Sequence, residues 1–271
     1  MPELPEVESI RRGLKPGLLG RVIQRVEIFL PKTAPDRDIM AMLPQKTIKG
    51  VGRRGKLLLL HIEDGILLAF HLRMTGRLFL TPSGQPMGRH CRLRFDLDNK
   101  SALLFDDART FGLCRALFLA ERDKWPYLSS LGPEPLQTTS ETLAGRFIGR
   151  NSAIKAVLLD QSIMAGVGNI YADEALFLAG LHPSAKARRI TEEKLLELAQ
   201  AIQTVLKAGI ENNGASIRDY LDSNGRKGGF QNIMQVYGRK GLPCPRCGQA
   251  LKSARVAGRG STFCLTCQPP Q

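Results

Sequence analysis

Four cysteines near the C-terminus limit the possible folds most severely. Cys244-x2-Cys247 and Cys264-x2-Cys267 form two knuckles separated by sixteen residues. That spacing gathers four thiolates around one tetrahedral Zn²⁺, and a closed set of four leaves no position for a substrate. One structural ion is therefore expected. A tail this short buries little core, so metal binding worth about 10–16 kcal/mol is what folds it. Between the knuckles, Ala257-Gly258-Arg259-Gly260 reads as a hairpin tip that offers Arg259 to a phosphate or a base edge. The other two cysteines, Cys91 and Cys114, are expected to be buried or half-buried free thiols in a reducing compartment.

Charge narrows the partner. Thirty-nine lysines and arginines against 25 acids give a net charge of +14. No acidic residue follows Asp222, whereas Arg226, Lys227, Arg239, Lys240, Arg246, Lys252, Arg255 and Arg259 do. This asymmetry favours a polyanion, and nucleic acid over a lipid surface, because no aromatic-rich amphipathic anchor accompanies it. The N-terminus is acidic rather than signal-like and no run of about 18 apolar residues occurs, so a cytoplasmic protein without a membrane partner is expected.

Patterning divides the chain. Pro5 to Leu14 reads as a short helix, with acids at its start and Arg11 and Arg12 near its end. Eight strand-like runs follow, over residues 22–30, 46–51, 57–62, 66–72, 77–80, 92–97, 102–105 and 112–119. They predict a β-sandwich or barrel. Leu131-Gly132-Pro133-Glu134-Pro135 reads as a rigid interdomain linker. Helical spacing then predicts helices over 154–163, 169–181 and 191–208, the last capped by Thr191. Asn169 is expected as the cap after Gly166-Val167-Gly168, a phosphate site or an ordinary tight turn. The Gly-rich basic segment 222–231 is either a connector or a lid that orders on a ligand.

The first eight residues, Met1-Pro2-Glu3-Leu4-Pro5-Glu6-Val7-Glu8, have two readings. One is a Pro-rich terminus whose acids favour the start of a helix. In the other, removal of Met1 turns Pro2 into a secondary amine, nucleophilic near neutral pH because α-amino groups titrate near ~7.7–8.0. Its attack on a sugar C1′ gives an iminium, with Glu3 and Glu6 at hand for proton transfer.

Taken together, this terminus, Arg53-Arg54-Gly55-Lys56, His71-Leu72-Arg73-Met74, Leu131-Gly132-Pro133-Glu134-Pro135, Gly168-Asn169-Ile170-Tyr171, Gln235-Val236-Tyr237-Gly238 and the knuckles resemble the formamidopyrimidine-DNA glycosylases end to end. Leu4 and Val7 favour that family over its endonuclease VIII branch. The resemblance implies an α+β protein. An N-terminal β-sandwich with flanking helices (1–130) precedes a helix–two-turns–helix domain (131–222), a lesion-capping loop (223–234) and a zinc finger (235–271), with DNA between the two domains. It implies a base-excision enzyme, acting as a monomer on duplex DNA with oxidised purines or abasic sites. The alternatives are oxidised-pyrimidine specificity or a non-catalytic binder of damaged DNA.

The resemblance also assigns residues. Pro2 is the nucleophile, Glu3 the proton shuttle, and Glu6 orders the site. Lys56 holds the lesion's phosphate or polarises its nucleotide, and Asn169 and Arg259 grip flanking phosphates. Lys155, His90, Arg92 and Tyr237 are further DNA contacts. Met74, Arg109 and Phe111 fill the gap left by the extruded nucleotide. Such extrusion costs a few kcal/mol, which an apolar wedge and an arginine reading the orphaned base offset. Three positions depart from the family pattern. Cys91-Arg92 stands where the second half of a His-x-His pair is usual, Thr110 where Lys or Arg is common, and no His follows Arg259 in Gly260-Ser261-Thr262.

Overall fold

The computed structural model describes residues 1–217 and 220–270. The chain forms two compact units, Met1–Ser129 with Asn212–Gly229, and Ser130–Glu211 with Phe230 onward.

In the first unit, α1 (Leu4–Leu18) buries Leu4, Val7, Ile10, Leu14 and Leu18, the spacing of a single helical stripe. The helix was expected to stop at Leu14, yet it runs through Pro16. A helical proline costs about 3 kcal/mol, and full burial of Leu18 returns about 1.5–3 kcal/mol. Next come β1 (Ile23–Ile28), α2 (Arg37–Ala41), β2 (Ile48–Arg54), β3 (Leu57–Ile62), β4 (Ile66–His71), β5 (Gly76–Pro82), β6 (Cys91–Leu97), β7 (Ser101–Asp107), β8 (Leu113–Phe118) and α3 (Pro126–Ser129).

All eight expected strands form. They make two four-stranded antiparallel sheets, ordered β1-β6-β7-β5 and β2-β3-β4-β8. β6 alternates strictly between buried and half-buried positions, as one covered face requires, whereas β4 is buried throughout. Phe70 of β4 meets Phe95 and Phe105 of the opposite sheet edge-on, at 6.1 and 5.8 Å between centroids. The two sheets therefore share one core. Asn212–Gly229 groups with this unit, whereas the sequence reading set a boundary at 222. The Glu6 carboxylate accepts a hydrogen bond from the Ala215 amide at 2.7 Å. A Cβ on Gly214, which has φ +77°, would lie 2.7 Å from that carboxylate. Glycine alone fits there.

The second unit contains α4 (Ser140–Gly145), α5 (Ile154–Leu159), α6 (Asn169–Leu178), α7 (Glu192–Glu211) and a hairpin of β9 (Lys252–Val256) and β10 (Arg259–Phe263). The short helices α2, α3 and α4 escape sequence patterning because four to six residues span too few turns to show a period. Thr191 caps α7 as expected, accepting from the Lys194 amide at 3.3 Å. The segment read as a rigid interdomain linker follows the division between the units and is packed within the second. Gly132 donates to the Gln161 carbonyl at 2.8 Å, and a Cβ there would meet the Ser162–Ile163 backbone at 2.6 Å.

Candidate active site and nucleic-acid interface

At the N-terminus, Pro2 is buried directly ahead of α1. Glu3 is the helix N-cap and shares a capping box with Glu6: the Glu3 amide donates to Glu6 Oε2 at 2.8 Å. Both carboxylates are almost fully buried. The box fixes them one turn apart beside Pro2, where the amides of a helix start favour negative charge. The other Glu6 oxygen receives the Ala215 amide, and Tyr220 donates its hydroxyl to the Glu6 carbonyl at 3.3 Å. Sequence reasoning anticipated the acids but not this second segment that clamps them.

Lys56 occupies the two-residue turn that closes β2 onto β3, preceded by Gly55 at φ +55°. A glycine with positive φ at that place gives a turn whose twist matches the strands. Lys56 is buried, not the solvated strand-edge lysine that its sequence setting also allows. Nearby, burial, then the charges of Arg73 and Lys56, push His71 down to about 3. The imidazole is therefore neutral. Its Nδ1 accepts the Arg73 amide at 3.1 Å, which leaves the proton on Nε2.

Met74, Arg109 and Phe111 come together as the resemblance implies. Arg109 Nη1 lies 3.3 Å from Met74 Sδ, and its guanidinium lies 5.0 Å from the Phe111 centroid. Met74 is 42% and Phe111 55% exposed, so both apolar side chains face solvent. Asp107, which sequence reasoning missed, organises this loop. It accepts from Thr75 Oγ1 at 2.5 Å, from the Arg109 amide at 3.3 Å and from the Gly112 amide at 2.6 Å. Its own carbonyl accepts Arg92 Nε at 2.9 Å. Arg92 and Arg89 both reach the His90 ring, at 3.5 and 3.0 Å. Cys91 faces inward, and burial, then Asp106, push its thiol up to about 11, so it is inert here.

In the second unit, α6 organises the basic hairpin. Gly168, not Asn169, is the N-cap; Asn169 is the first helical residue and donates Nδ2 to the Gly260 carbonyl at 3.0 Å. Arg259 is exposed and begins β10, one residue past a turn in which Ala257 and Gly258 both have positive φ. Lys155 departs from expectation. It is fully buried, and its ammonium donates to Asp173 Oδ1 at 2.6 Å, Ser261 Oγ at 2.7 Å and the Gly260 carbonyl at 3.0 Å. Lys155 thus presents no charge at a surface; it braces the strand that carries Arg259.

Asp173 also receives the Thr262 amide at 3.0 Å. Burial pushes its carboxyl up to about 6 although Lys155 opposes the shift. Next to it, Glu174 accepts the amides of Gln235, Val236 and Tyr237 at 2.8–2.9 Å. The Tyr237 side chain is half-buried. Adjacent carboxylates on α6 thereby fasten two separate stretches of the finger, a pairing with no signature in the sequence.

The four sulfurs of Cys244, Cys247, Cys264 and Cys267 lie within 4.8 Å of one another. Cys244 to Cys267 is 3.9 Å and Cys247 to Cys264 is 3.4 Å. A tetrahedral ion with Zn–S bonds near 2.3 Å spaces its sulfurs about 3.8 Å apart, so the thiolates fit one Zn²⁺. Cys91 and Cys114 are buried and free, as expected.

Three family models match the chain. They are the formamidopyrimidine-DNA glycosylase N-terminal domain over residues 1–114, its H2TH domain over 131–220, and the zinc finger found in FPG and IleRS over 241–270. The chain is 44% identical to a formamidopyrimidine-DNA glycosylase of Desulforamulus reducens over 274 residues, 99% of each chain. It is 47% identical to the Moorella thermoacetica protein of that name over 260 residues, 94% of this chain and 95% of that one. Among solved structures, a Lactococcus lactis FPG mutant in complex with Fapy-dG-containing DNA superimposes with a TM-score of 0.91 at 34% identity, covering 99% of this chain and 100% of the other. The Thermus thermophilus FPG structure gives 0.89 at 41% identity, with full coverage of both. With the fold, the capped acids beside Pro2 and the four-thiolate cluster all in agreement, the chain belongs to the formamidopyrimidine-DNA glycosylase family.

Proposed function

We propose that this chain is a bifunctional DNA glycosylase and abasic-site lyase that removes oxidised purines, 8-oxoguanine and formamidopyrimidines, from duplex DNA. The observation that carries the reading is the Glu3–Glu6 capping box, which fixes two buried carboxylates at the start of the helix that Pro2 precedes. Removal of Met1 frees the Pro2 nitrogen. That nitrogen bonds to C1′ as the glycosidic bond breaks, and the departing base takes a proton. The iminium acidifies C2′, and Glu3 is suited to move protons at the opening sugar. Loss of the C2′ proton expels the 3′ phosphate, and a second elimination expels the 5′ phosphate.

Around that centre, Lys56 steadies the lesion nucleotide, Met74, Arg109 and Phe111 fill the vacated stack, and residues 223–234 cover the extruded base. Asn169 and Arg259 hold flanking phosphates, with His90, Arg92 and Tyr237 as further contacts. Zn²⁺ on the four cysteines supplies a cross-link that shapes the hairpin. The net charge of +14 supports a polyanionic partner, and we take that partner as duplex DNA with oxidised purines or abasic sites. Two buried free thiols support a reducing compartment, the bacterial cytosol, and we take the monomer as the acting form.

Borohydride trapping on a duplex with 8-oxoguanine opposite cytosine, followed by peptide mass mapping, tests this directly. A covalent adduct on Pro2 is expected. No adduct from Met1-free protein that still binds would reduce the chain to a damage binder, and an adduct only with an oxidised pyrimidine would reassign the substrate.

A further inference from the structure

An exposed lysine from a distant part of the chain reaches the wedge loop. Lys32 Nζ donates to Thr110 Oγ1 at 2.9 Å, across 78 positions of sequence. Lys32 lies on a 3-10 turn, Pro31–Thr33, whose next residues Thr33 and Ala34 are buried. Asp36 then pins the segment to β8, accepting Arg115 at 2.6 and 2.9 Å and the Ala116 amide at 3.0 Å. The lysine is thus delivered by a fixed arm. Thr110 has φ +56°, the left-handed region, where a β-branched residue costs on the order of 1–2 kcal/mol. Such a conformation persists only where surroundings dictate it, and here Asp107 and Lys32 do so.

The charge balance at this place is one-sided. Lys32 makes no ion pair among the described residues. Arg109 is exposed beside Thr110, and Arg92 is tied to the same loop through the Asp107 carbonyl. The carboxylate of Asp107 is buried, and its oxygens are already taken by Thr75, Arg109 and Gly112. An ammonium has three donors, and Thr110 takes one. We infer that Lys32 is a backbone-phosphate contact of the bound duplex, held beside the wedge by Thr110, so that the arm adds a second cation to the one that Arg109 gives the loop. This inference rests on the proposed DNA substrate.

The test is an anisotropy titration of the full chain on a duplex carrying a tetrahydrofuran abasic-site analogue opposite cytosine, at salt from 50 to 200 mM. Lys32→Gln keeps a donor for Thr110 but loses the charge, and should lower the slope of log affinity against log salt by about 0.9. Lys32→Arg should retain the wild-type slope. The loss should be the same whatever bases flank the analogue, because a phosphate contact carries no sequence information. An unchanged slope in Lys32→Gln would make the lysine a mere strut for the loop and overturn the assignment. A loss confined to one flanking sequence would move the contact to a base edge and overturn it equally. If the wild type itself shows no preference for the abasic duplex over undamaged DNA, the substrate reading fails and takes this inference with it; a retained preference with an unchanged slope sinks Lys32 alone.

Discussion

Two exposed arginines, Arg109 in the first unit and Arg259 in the second, are held in place by different means. The loop of Arg109 grows from a sandwich whose core includes Phe70, Phe95 and Phe105, and one buried carboxylate, Asp107, gathers its backbone. The strand of Arg259 has little apolar support, a small cluster around Phe177, Val236, Leu251 and two cysteines. Its geometry depends on a metal site and on a buried ion pair, Lys155 with Asp173. Where apolar area is ample, a few hydrogen bonds centred on one carboxylate shape a loop. Where it is scarce, charges must be buried in partnership, and each partner becomes indispensable.

The sharpest way to break this comparison is to remove the metal. Stripping Zn²⁺ with a strong chelator forfeits about 10–16 kcal/mol of folding free energy in the finger. DNA binding should be abolished while circular dichroism still reports the N-terminal sandwich. If binding survives, Arg259 is misassigned and the hairpin is not metal-dependent.

A smaller effect should follow from Asp173→Asn, which leaves the Lys155 ammonium buried without a counter-charge. The expected cost is about 3–5 kcal/mol. It should appear as zinc lost at about a hundredfold or more lower chelator concentration, with no change in the melting of the first unit. Equal retention of zinc would show that the hydrogen bonds to Ser261 and Gly260 alone hold the lysine.

The smallest effect belongs to the first unit and depends on pH. Glu8 is mostly buried, which raises its pKa, but hydrogen bonds from Arg11 and Arg12 and the charges of Arg11 and Arg53 outweigh that and bring it to about 2. A carboxyl whose folded pKa is depressed adds stability that is complete above its unfolded value of 4.5 and is lost as pH falls towards 2. Glu8→Gln should therefore cost about 2 kcal/mol at neutral pH, and the two proteins should converge in urea melts near pH 2. A constant difference across that range would assign the loss to packing rather than charge.

Much of this was legible from residue order. The eight strands showed in alternation and turn signals, α7 in its period and its Thr191 cap, and the metal site in the cysteine spacing, because each is a local rule acting within a few residues. The expected end of α1 at Leu14 failed because a local helix breaker was overruled by Leu18 entering the core. The rigid segment around Gly132 does lie where one unit gives way to the other, but residue order did not show that its backbone packs against residues 161–163.

What the sequence determined by itself was the set of chemical parts: a proline at position 2, two acids a turn apart, a four-cysteine cluster, a basic C-terminal tail. Only the tertiary structure decided how those parts are held. It buried Lys155 on Asp173, turned Cys91 inward, brought the Ala215 amide to Glu6, and brought Lys32 to Thr110. The physical reason is common to all four. Desolvation and charge pairing depend on which groups become neighbours in space, and positions 78 or 209 residues apart acquire that relation only when the chain has folded.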